Sequence, residues 1–136
     1  MNTTTTVKVL LVDDDALLRR VTKEFLETIP GVKILTAGNG PEALASLGEH
    51  EDTCVMVTDY HMGGMTGGQL IKEVKKKFPN IKTVIMSGGI GRSDIDGMPE
   101  DSKPAFFLPK ASNPSVIKNL VLCLVTNSPV VDGHRI

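Results

Sequence analysis

Four short apolar runs in this 136-residue chain each end in a polar side chain that could do chemistry. The runs are rich in β-branched residues and too short for stable helices, so each of them predicts a buried strand. The clearest run delivers a single aspartate, Asp59, which glycines follow. The runs and the groups that end them are Val7–Val12 with Asp13-Asp14-Asp15, Cys54–Thr58 with Asp59, Thr83–Met86 with Ser87, and Ala105–Leu108 with Pro109-Lys110. If the strands are parallel, these polar groups meet at one edge of one sheet.

Carboxylates, a hydroxyl and an ammonium gathered at one edge predict a site for a metal ion and a phosphoryl group. Neighbouring carboxylates repel one another, and a hard divalent cation such as Mg2+ removes that repulsion. A phosphoryl group would then lie between the metal and Lys110, with Ser87 bonded to another of its oxygens. An aspartate held in line with it can attack and form an acyl phosphate. We assign that role to Asp59, which stands alone at its strand end, and metal binding to the pair Asp13 and Asp14.

Each of these residues also has an ordinary structural explanation. Acidic residues before a helix serve as caps, so Asp13-Asp14-Asp15 alone would indicate only a helix start. Asp59 precedes a glycine loop, and Ser87 and Lys110 stand beside glycine or proline, so each would individually indicate a turn. Their joint occurrence at four strand ends is what favours a shared site.

The strands alternate with helical patterns at short spacing. Such alternation predicts right-handed βαβ crossovers and a parallel sheet covered on both faces. Five units match an α/β, flavodoxin-like doubly wound fold with five helices and the strand order 2-1-3-4-5, in which residues 32–37 form an edge strand. Ligands of that fold bind beyond the carboxyl ends of the strands, between the first and the third. Asp13, Asp14 and Asp59 would lie there.

The spacing of apolar residues predicts which helix faces turn inward. We expect the first helix to begin at the cap Asp15 and to end at Pro30-Gly31. Residues 88–104 are weakly patterned and predict at most a short helix. The last helix is apolar around most of its circumference, which indicates deep burial or a contact surface. The inward residues would be Leu18, Val21, Phe25 and Ile29 in the first helix, and Val116, Ile117, Leu120, Val121 and Leu124 in the last.

Composition narrows the class of protein. A hydrophobic fraction of 40% and a charged fraction of 23% are typical of a globular domain, which we expect to span residues 7–126 between a leader, 1–6, and a tail, 127–136. The net charge of -1 gives no case for binding nucleic acid or a membrane surface. No signal peptide or membrane-spanning run is evident, so the expected location is cytoplasmic. Cys54 and Cys123 match no disulfide or zinc spacing, and we expect both to be small buried residues.

These motifs resemble the receiver domain of two-component response regulators, close in extent to the stand-alone chemotaxis-type members. The resemblance covers about residues 7–126. The motifs that carry it are Leu11-Val12-Asp13-Asp14, Val57-Thr58-Asp59 with Met62, Met86-Ser87, and Leu108-Pro109-Lys110.

The resemblance implies a role for each acidic residue of the site. Asp59 would be the phospho-acceptor and, with Asp14, would bind Mg2+ directly. Asp13 would act on the metal through water. His61 would contribute its backbone carbonyl, and we expect its imidazole to point to solvent.

The resemblance also assigns the remaining groups. Ser87 and Lys110 would contact the phosphoryl group. Phe107 stands where the family has an aromatic residue whose rotamer follows phosphorylation. Phosphate held by Ser87 and Lys110 would thereby bias the face made by the fourth helix, the fifth strand and the fifth helix.

The chain departs from the family pattern at Gly63, at Thr66, where an acidic residue before glycine is common, and at Ala111. Gly63 replaces a customary proline and Gly64 follows it, which loosens the loop after Asp59. Ala111 follows Lys110 where a cis proline is common, and since a cis bond to another residue costs about 3 kcal/mol, we expect a trans bond or a strained cis bond held by the site. Gly88-Gly89 removes side chains that would shield the phosphoryl group, so we expect a short-lived acyl phosphate.

The predicted protein is a single-domain response regulator of a phosphorelay, a signalling protein rather than an enzyme. A histidine kinase or a histidine phosphotransfer protein would supply the phosphoryl group, and a protein target or a second copy would bind the output face. The departures at Gly63 and Ala111 leave open a degenerate receiver that acts without phosphorylation. A magnesium phosphatase lacks a recognisable general acid and substrate cap here, and a flavodoxin-like cofactor binder lacks a phosphate-cradling glycine motif.

Overall fold

A five-stranded parallel sheet in the order β2-β1-β3-β4-β5 forms the centre of the protein. The structure is a computed structural model that describes residues 7–110 and 114–126. The strands are β1 Val7–Val12, β2 Val32–Ala37, β3 Thr53–Thr58, β4 Lys82–Ser87 and β5 Phe106–Pro109. The helices are α1 Ala16–Leu26, α2 Gly40–Glu49, α3 Gly67–Lys77, α4 Arg92–Asp96 and α5 Pro114–Thr126, with a 3₁₀ turn at Glu100–Ser102. The predicted fold class and strand order are therefore confirmed, and β2 lies at a sheet edge.

Helices cover both faces of the sheet, because its strands are apolar on both sides. One core lies between the sheet and the pair α1 and α5, and includes Leu26, Leu120 and Leu124. The other lies under α2, α3 and α4, and includes Leu47 and Ile71. This double cover leaves the carboxyl edge of the sheet open for a site. No helix of the described residues is long and apolar enough to cross a membrane. The predicted leader and tail lie outside the described residues.

The first helix differs from the sequence prediction in its length and in one face residue. Helix α1 begins after the predicted cap, where Asp15 Oδ1 accepts a hydrogen bond from the Leu18 amide at 3.0 Å, but it ends at Leu26. Ile29 is buried in the turn that follows rather than in the helix. Val21 is 54% exposed, so its predicted inward position is wrong. Leu26 is fully buried in the core instead, and Val21 lines the groove between α1 and α5.

Cys54 was expected in the core and is exposed instead. It is the second residue of β3, beside the register shift between β1 and β3, and β4 begins opposite the next residue, Val55. At this end of the sheet the side chain borders an open depression, which Leu124 and Val125 of α5 line without covering it. Cys123 is half-buried on α5. A run that is apolar in sequence is therefore not covered along its whole length.

The last two helices follow the sequence prediction closely. Only a short helix, α4, forms in the weakly patterned segment 88–104. In α5, four of the five predicted inward residues are buried, and Val116 is half-buried. Leu122 lies on another side and is 41% exposed. This helix therefore combines a buried stripe with an exposed apolar residue.

Candidate functional site

Three carboxylates converge where β1 and β3 end side by side. Carboxylate oxygens of Asp13, Asp14 and Asp59 lie within 4.8 Å of one another. The two strands are hydrogen-bonded neighbours, and the Asp59 amide donates to the Val12 carbonyl at 3.1 Å. Because this pairing continues to the strand ends, residues 46 positions apart in sequence become neighbours at the site.

Asp13 is the most deeply placed of the three carboxylates, with 2% of its surface exposed. Its Oδ1 accepts a hydrogen bond from the Asp15 amide at 2.9 Å. Its Oδ2 lies 3.2 Å from the Lys110 ammonium. A buried carboxylate must be paired, and here one oxygen orders the turn into α1 while the other faces the shared site. Asp14, by contrast, is exposed.

Lys110 reaches the carboxylates from the end of β5. Its ammonium donates to Asp59 Oδ2 at 2.8 Å and also contacts Asp13. Burial by itself would lower the pKa of Lys110, but the hydrogen bonds from its ammonium to Asp59 and Asp13 outweigh burial and raise that pKa above its ordinary value. The ammonium is therefore a firmly charged partner of two carboxylates.

Ser87 ends β4, directly beside the last residues of β5. Its side chain is buried, and its Oγ accepts a hydrogen bond from the Gly89 amide at 3.3 Å. Its carbonyl accepts from the Lys110 amide at 2.9 Å. Adjacent parallel strands thus carry the hydroxyl and the ammonium to the same edge, as the sequence predicted.

The imidazole of His61 lies over a glycine of the neighbouring loop. The residue is exposed, as expected, but a Cβ built on Gly89 would fall 2.4 Å from His61 Cδ2 and 2.5 Å from Nε2. The ring also meets Tyr60 edge to face, with 5.1 Å between ring centroids. The space that the glycines leave at this edge is therefore filled in part by His61. The role of its backbone carbonyl stays a prediction.

Gly67 holds the acceptor loop, the residues 59–66 between β3 and α3, tightly against the start of α3. The Gly67 amide donates to the Tyr60 carbonyl at 2.8 Å. A Cβ on Gly67 would stand 2.5 Å from the Asp59 carbonyl oxygen and 2.9 Å from Tyr60 Cα. Since both of these atoms are backbone, only glycine permits this approach. A glycine at the first position of a helix is the signal in the sequence that could have pointed to this role of Gly67.

Phe107 lies inside the fold rather than at its surface. It is 6% exposed and packs in the core that also contains Ile85 of β4 and Ile95 of α4. Residues of β5 and of the short helix α4 therefore share this core. Whether its rotamer follows phosphorylation stays a prediction.

Arg19 is a second residue that sequence reasoning missed. Its guanidinium donates to the backbone carbonyl of Asp13 and lies against Gly38 in the loop before α2. The available signal was its position one turn beyond the cap Asp15. The predicted trans bond between Lys110 and Ala111 lies outside the described residues.

The donor set fits a hard divalent cation. Asp13, Asp14 and Asp59 offer only carboxylate oxygens, and they range from buried to exposed, so a bound ion would be open to solvent on one side. Mg2+ is typically held by one or two carboxylates and keeps several waters. These three residues could therefore hold Mg2+ and leave positions for phosphoryl oxygens.

Comparison with known proteins places the chain among signalling domains. The family model described as the response regulator receiver domain matches residues 9–121. A chemotaxis protein CheY homolog of Campylobacter jejuni is 32% identical over 91 residues, which cover 65% of this chain and 70% of that protein. Chemotaxis protein CheY1 of Helicobacter pylori is also 32% identical over 91 residues, covering 65% of this chain and 73% of that protein.

A solved structure gives the same result in three dimensions. The receiver domain of the Francisella response regulator 1452 superposes with a TM-score of 0.77 at 27% sequence identity, covering 90% of this chain and 98% of that one. The family model spans residues 9–121, and the structural match covers 90% of the chain, so both extend over most of it.

Proposed function

The chain belongs to the response regulator receiver domain family, and from that premise we propose that it is a phosphorelay protein that accepts a phosphoryl group on Asp59 with Mg2+ bound beside it. The donor is a phosphohistidine of a histidine kinase or of a histidine phosphotransfer protein. The output is a change in the surface made by α4, β5 and α5.

One observation carries this proposal. Three carboxylates lie within 4.8 Å of one another, and an ammonium contacts two of them. A cap or turn function needs neither the convergence of three acidic groups nor a lysine from another strand. A phosphoryl site needs both, because the metal and the ammonium together balance the charge of the incoming group.

The proposed reaction is a nucleophilic displacement at phosphorus. A carboxylate oxygen of Asp59 attacks, an O–P bond forms, and the N–P bond to the donor imidazole breaks. The electron pair of the broken bond stays on the imidazole nitrogen, which then takes up a proton. Lys110 orients the attacking group, since it holds Asp59 Oδ2 at 2.8 Å.

The residues around Asp59 stabilise the charge that is transferred. Asp14 and Asp59 would hold Mg2+ directly and Asp13 through water, and the bound ion would supply positive charge that stabilises the transferred group. The Lys110 ammonium then moves its hydrogen bonds toward a phosphoryl oxygen. Ser87 rotates its hydroxyl away from the Gly89 amide and donates to another oxygen.

The donor protein approaches across α1. Leu17 and Val21 on this helix are 72% and 54% exposed. They adjoin a largely apolar groove of about 190 Å³ that Phe25, Ile117 and Lys110 help to line. An apolar surface of the donor that covers these residues would bring its phosphohistidine to the same edge of the sheet as Asp59.

The structural change on phosphorylation is transmitted through Phe107 to the surface made by α4, β5 and α5. The Phe107 ring and Ile95 of α4 belong to the same buried core, so a change of the Phe107 rotamer alters the packing under α4. Helix α4 is only five residues long, glycines flank it at 91 and 97, and Ile95 is its one buried residue, so few buried side chains oppose a shift of this helix. The exposed Leu122 on α5 extends this face for a protein target or a second copy.

Mass spectrometry with a small phosphodonor tests the proposal. The protein incubated with acetyl phosphate and Mg2+ should gain the mass of one phosphoryl group, and the gain should disappear on chelation of the metal. Asp59→Asn should abolish the gain, while Asp52→Asn should keep it, because Asp52 is an exposed aspartate at the opposite end of the sheet.

Two results would contradict the proposal. Modification that persists in Asp59→Asn would place the acceptor elsewhere. A wild-type protein that gains no mass would favour the alternative, an interaction module that acts without phosphorylation.

A further inference from the structure

Met65, which follows the two glycines of the acceptor loop, sits in a notch at the start of α2. A Cβ built on Gly40 would lie 2.4 Å from Met65 Sδ, 3.0 Å from its Cβ and 3.1 Å from its Cγ. Real side chains do not approach so closely, so this seat exists only because residue 40 is glycine. The half-buried Met65 packs from there against the core under α2 and α3.

The rest of the loop explains why this seat matters. Met62 is buried in the same core and holds the first part of the loop. The end of the loop is held by a capping box in which Thr66 accepts from the Gln69 amide and the Gln69 side chain accepts from Thr66. Between these anchors stand Gly63 and Gly64, the latter at φ +87°, which have no side chains to pack. Met65 is therefore the side chain that fixes the outer half of the loop.

The notch also connects the two halves of the metal site. Helix α2 follows directly on β2, whose last residue, Ala37, accepts a hydrogen bond from the Asp13 amide at 3.1 Å. Asp13 is thus hydrogen-bonded to Ala37, the chain continues over two residues to Gly40, and Gly40 lies against Met65. One end carries the acidic pair of β1, and the other carries the loop that follows Asp59.

We propose that Met65 is a positioning residue for the metal, which sets the distance between the acceptor loop and the Asp13-Asp14 pair through its seat on Gly40. This inference rests on the proposed function, because it concerns the affinity for Mg2+. It adds that α2, which contributes no predicted ligand, helps to determine that affinity.

An open groove beside the notch determines where Met65 would move if its contact with Gly40 were lost. The groove, about 1000 Å³ between α2 and α3, is lined by Met65, Leu44 and Gln69 among others. A side chain at position 40 would displace Met65 toward this groove rather than into packed core. We therefore expect Gly40→Ala to fold and to carry a shifted loop.

Mg2+ binding by the full chain tests the proposal without any phosphorylation. Tyr60 is the only tyrosine and the chain has no tryptophan, so the intrinsic fluorescence reports from the residue beside Asp59. Gly40→Ala and Met65→Ala should each raise the Kd for Mg2+ by about tenfold, the low end of what the loss of a supporting residue costs a metal site. Met65→Leu, which keeps the bulk of the side chain, should stay near the wild-type value.

The matched control is Gly48→Ala in the same helix, where no atom of the described residues lies within 4 Å of the built Cβ. It reproduces the gain in helix propensity and should leave the Kd unchanged. The double variant should bind no more weakly than the weaker single variant, because both changes remove one contact.

The outcomes separate this inference from the proposed function. Variants that lose thermal stability without Mg2+ yet keep the wild-type Kd would show a merely structural contact and overturn the inference alone. If Gly40→Ala does not fold, Met65→Ala against Met65→Leu decides the same question. A wild-type protein whose fluorescence and thermal midpoint both ignore Mg2+ would overturn the proposed function and this inference with it.

Discussion

The Lys110 ammonium donates a hydrogen bond to Asp59 Oδ2 at 2.8 Å, joining residues that are 51 positions apart in sequence. The same ammonium stands 3.2 Å from Asp13 Oδ2. Lysine therefore supplies the positive charge of the acidic site in the metal-free protein. Several properties of the protein should depend on this one contact.

Removal of that ammonium should destabilise the metal-free protein. Lys110→Met leaves Asp13, whose side chain is 3% exposed, without its charged partner. An uncompensated buried acceptor costs about 1–3 kcal/mol in the free energy of unfolding. Mg2+ should reduce this deficit, because the ion replaces the missing charge. Denaturant unfolding with and without Mg2+ measures both effects, and Lys72→Met, at an exposed lysine of α3, is the control. A deficit that Mg2+ leaves unchanged would count against metal binding here.

The contribution of Lys110 should disappear at alkaline pH. Its pKa is raised in the folded state, so the folded protein binds this proton more tightly than the unfolded chain does. The stabilisation is fully present below the ordinary pKa of 10.5 and is lost as the pH rises through the higher folded value. The stability difference between the wild type and Lys110→Met should thus be constant near neutral pH and shrink in the alkaline range. Thermal unfolding across that range checks it, and a difference that grows with pH would be the contrary result.

A methyl group at position 67 should damage the acceptor loop. In Gly67→Ala the new Cβ would meet the Asp59 carbonyl oxygen at 2.5 Å, and backbone cannot move aside as a side chain can. We expect a loss of about 1–3 kcal/mol in the free energy of unfolding, as for overpacking elsewhere. Gly63→Ala in the same loop meets no described atom within 4 Å and should cost about 0.5 kcal/mol or less. Equal losses in the two variants would show that the close approach is not what requires glycine.

His61 should control how long the acyl phosphate lasts. Its ring lies over Gly89, whose amide donates to Ser87 Oγ, and we expect it to hinder the access of water there. His61→Ala should shorten the lifetime severalfold, as followed by loss of the phosphoryl mass after the phosphodonor is removed. Gly89→Arg in the His61→Ala background supplies a new cover and should lengthen the lifetime again. An unchanged lifetime in both variants would show that side chains at this edge of the site do not shield the acyl phosphate from water.

Exposed residues of α1 should matter to a protein donor and not to a small one. Leu17→Ser and Val21→Ser remove apolar surface without touching the carboxylates. Phosphotransfer from a cognate phosphohistidine protein should slow by about tenfold, while the rate with acetyl phosphate stays as in the wild type. Leu122→Ser on α5 makes the same change at the output face and is the control. A parallel slowing with both donors would place these residues in the chemistry rather than in docking.

Much of this protein could be predicted from its sequence because the decisive signals are local. Apolar runs that end in Asp59, Ser87 and Lys110 identify strands and their polar ends, and helical spacing identifies the intervening helices. Parallel pairing then requires those ends to share one edge. The sheet order, the edge position of β2 and the convergence of the carboxylates all followed from these rules.

Tertiary structure decided what depends on the approach of distant segments. The exposure of Val21 and Cys54 depends on how far a neighbouring element extends, and no periodicity records that. Met65 packs on Gly40, and the His61 ring lies over Gly89. These contacts join segments that are not paired in the sheet, so no strand register predicts them. A sequence pattern specifies which way a residue faces within its own element. The neighbour that it meets is set by the packing of elements against one another, and we expect the affinity for metal and the lifetime of a phosphoryl group to depend on that packing.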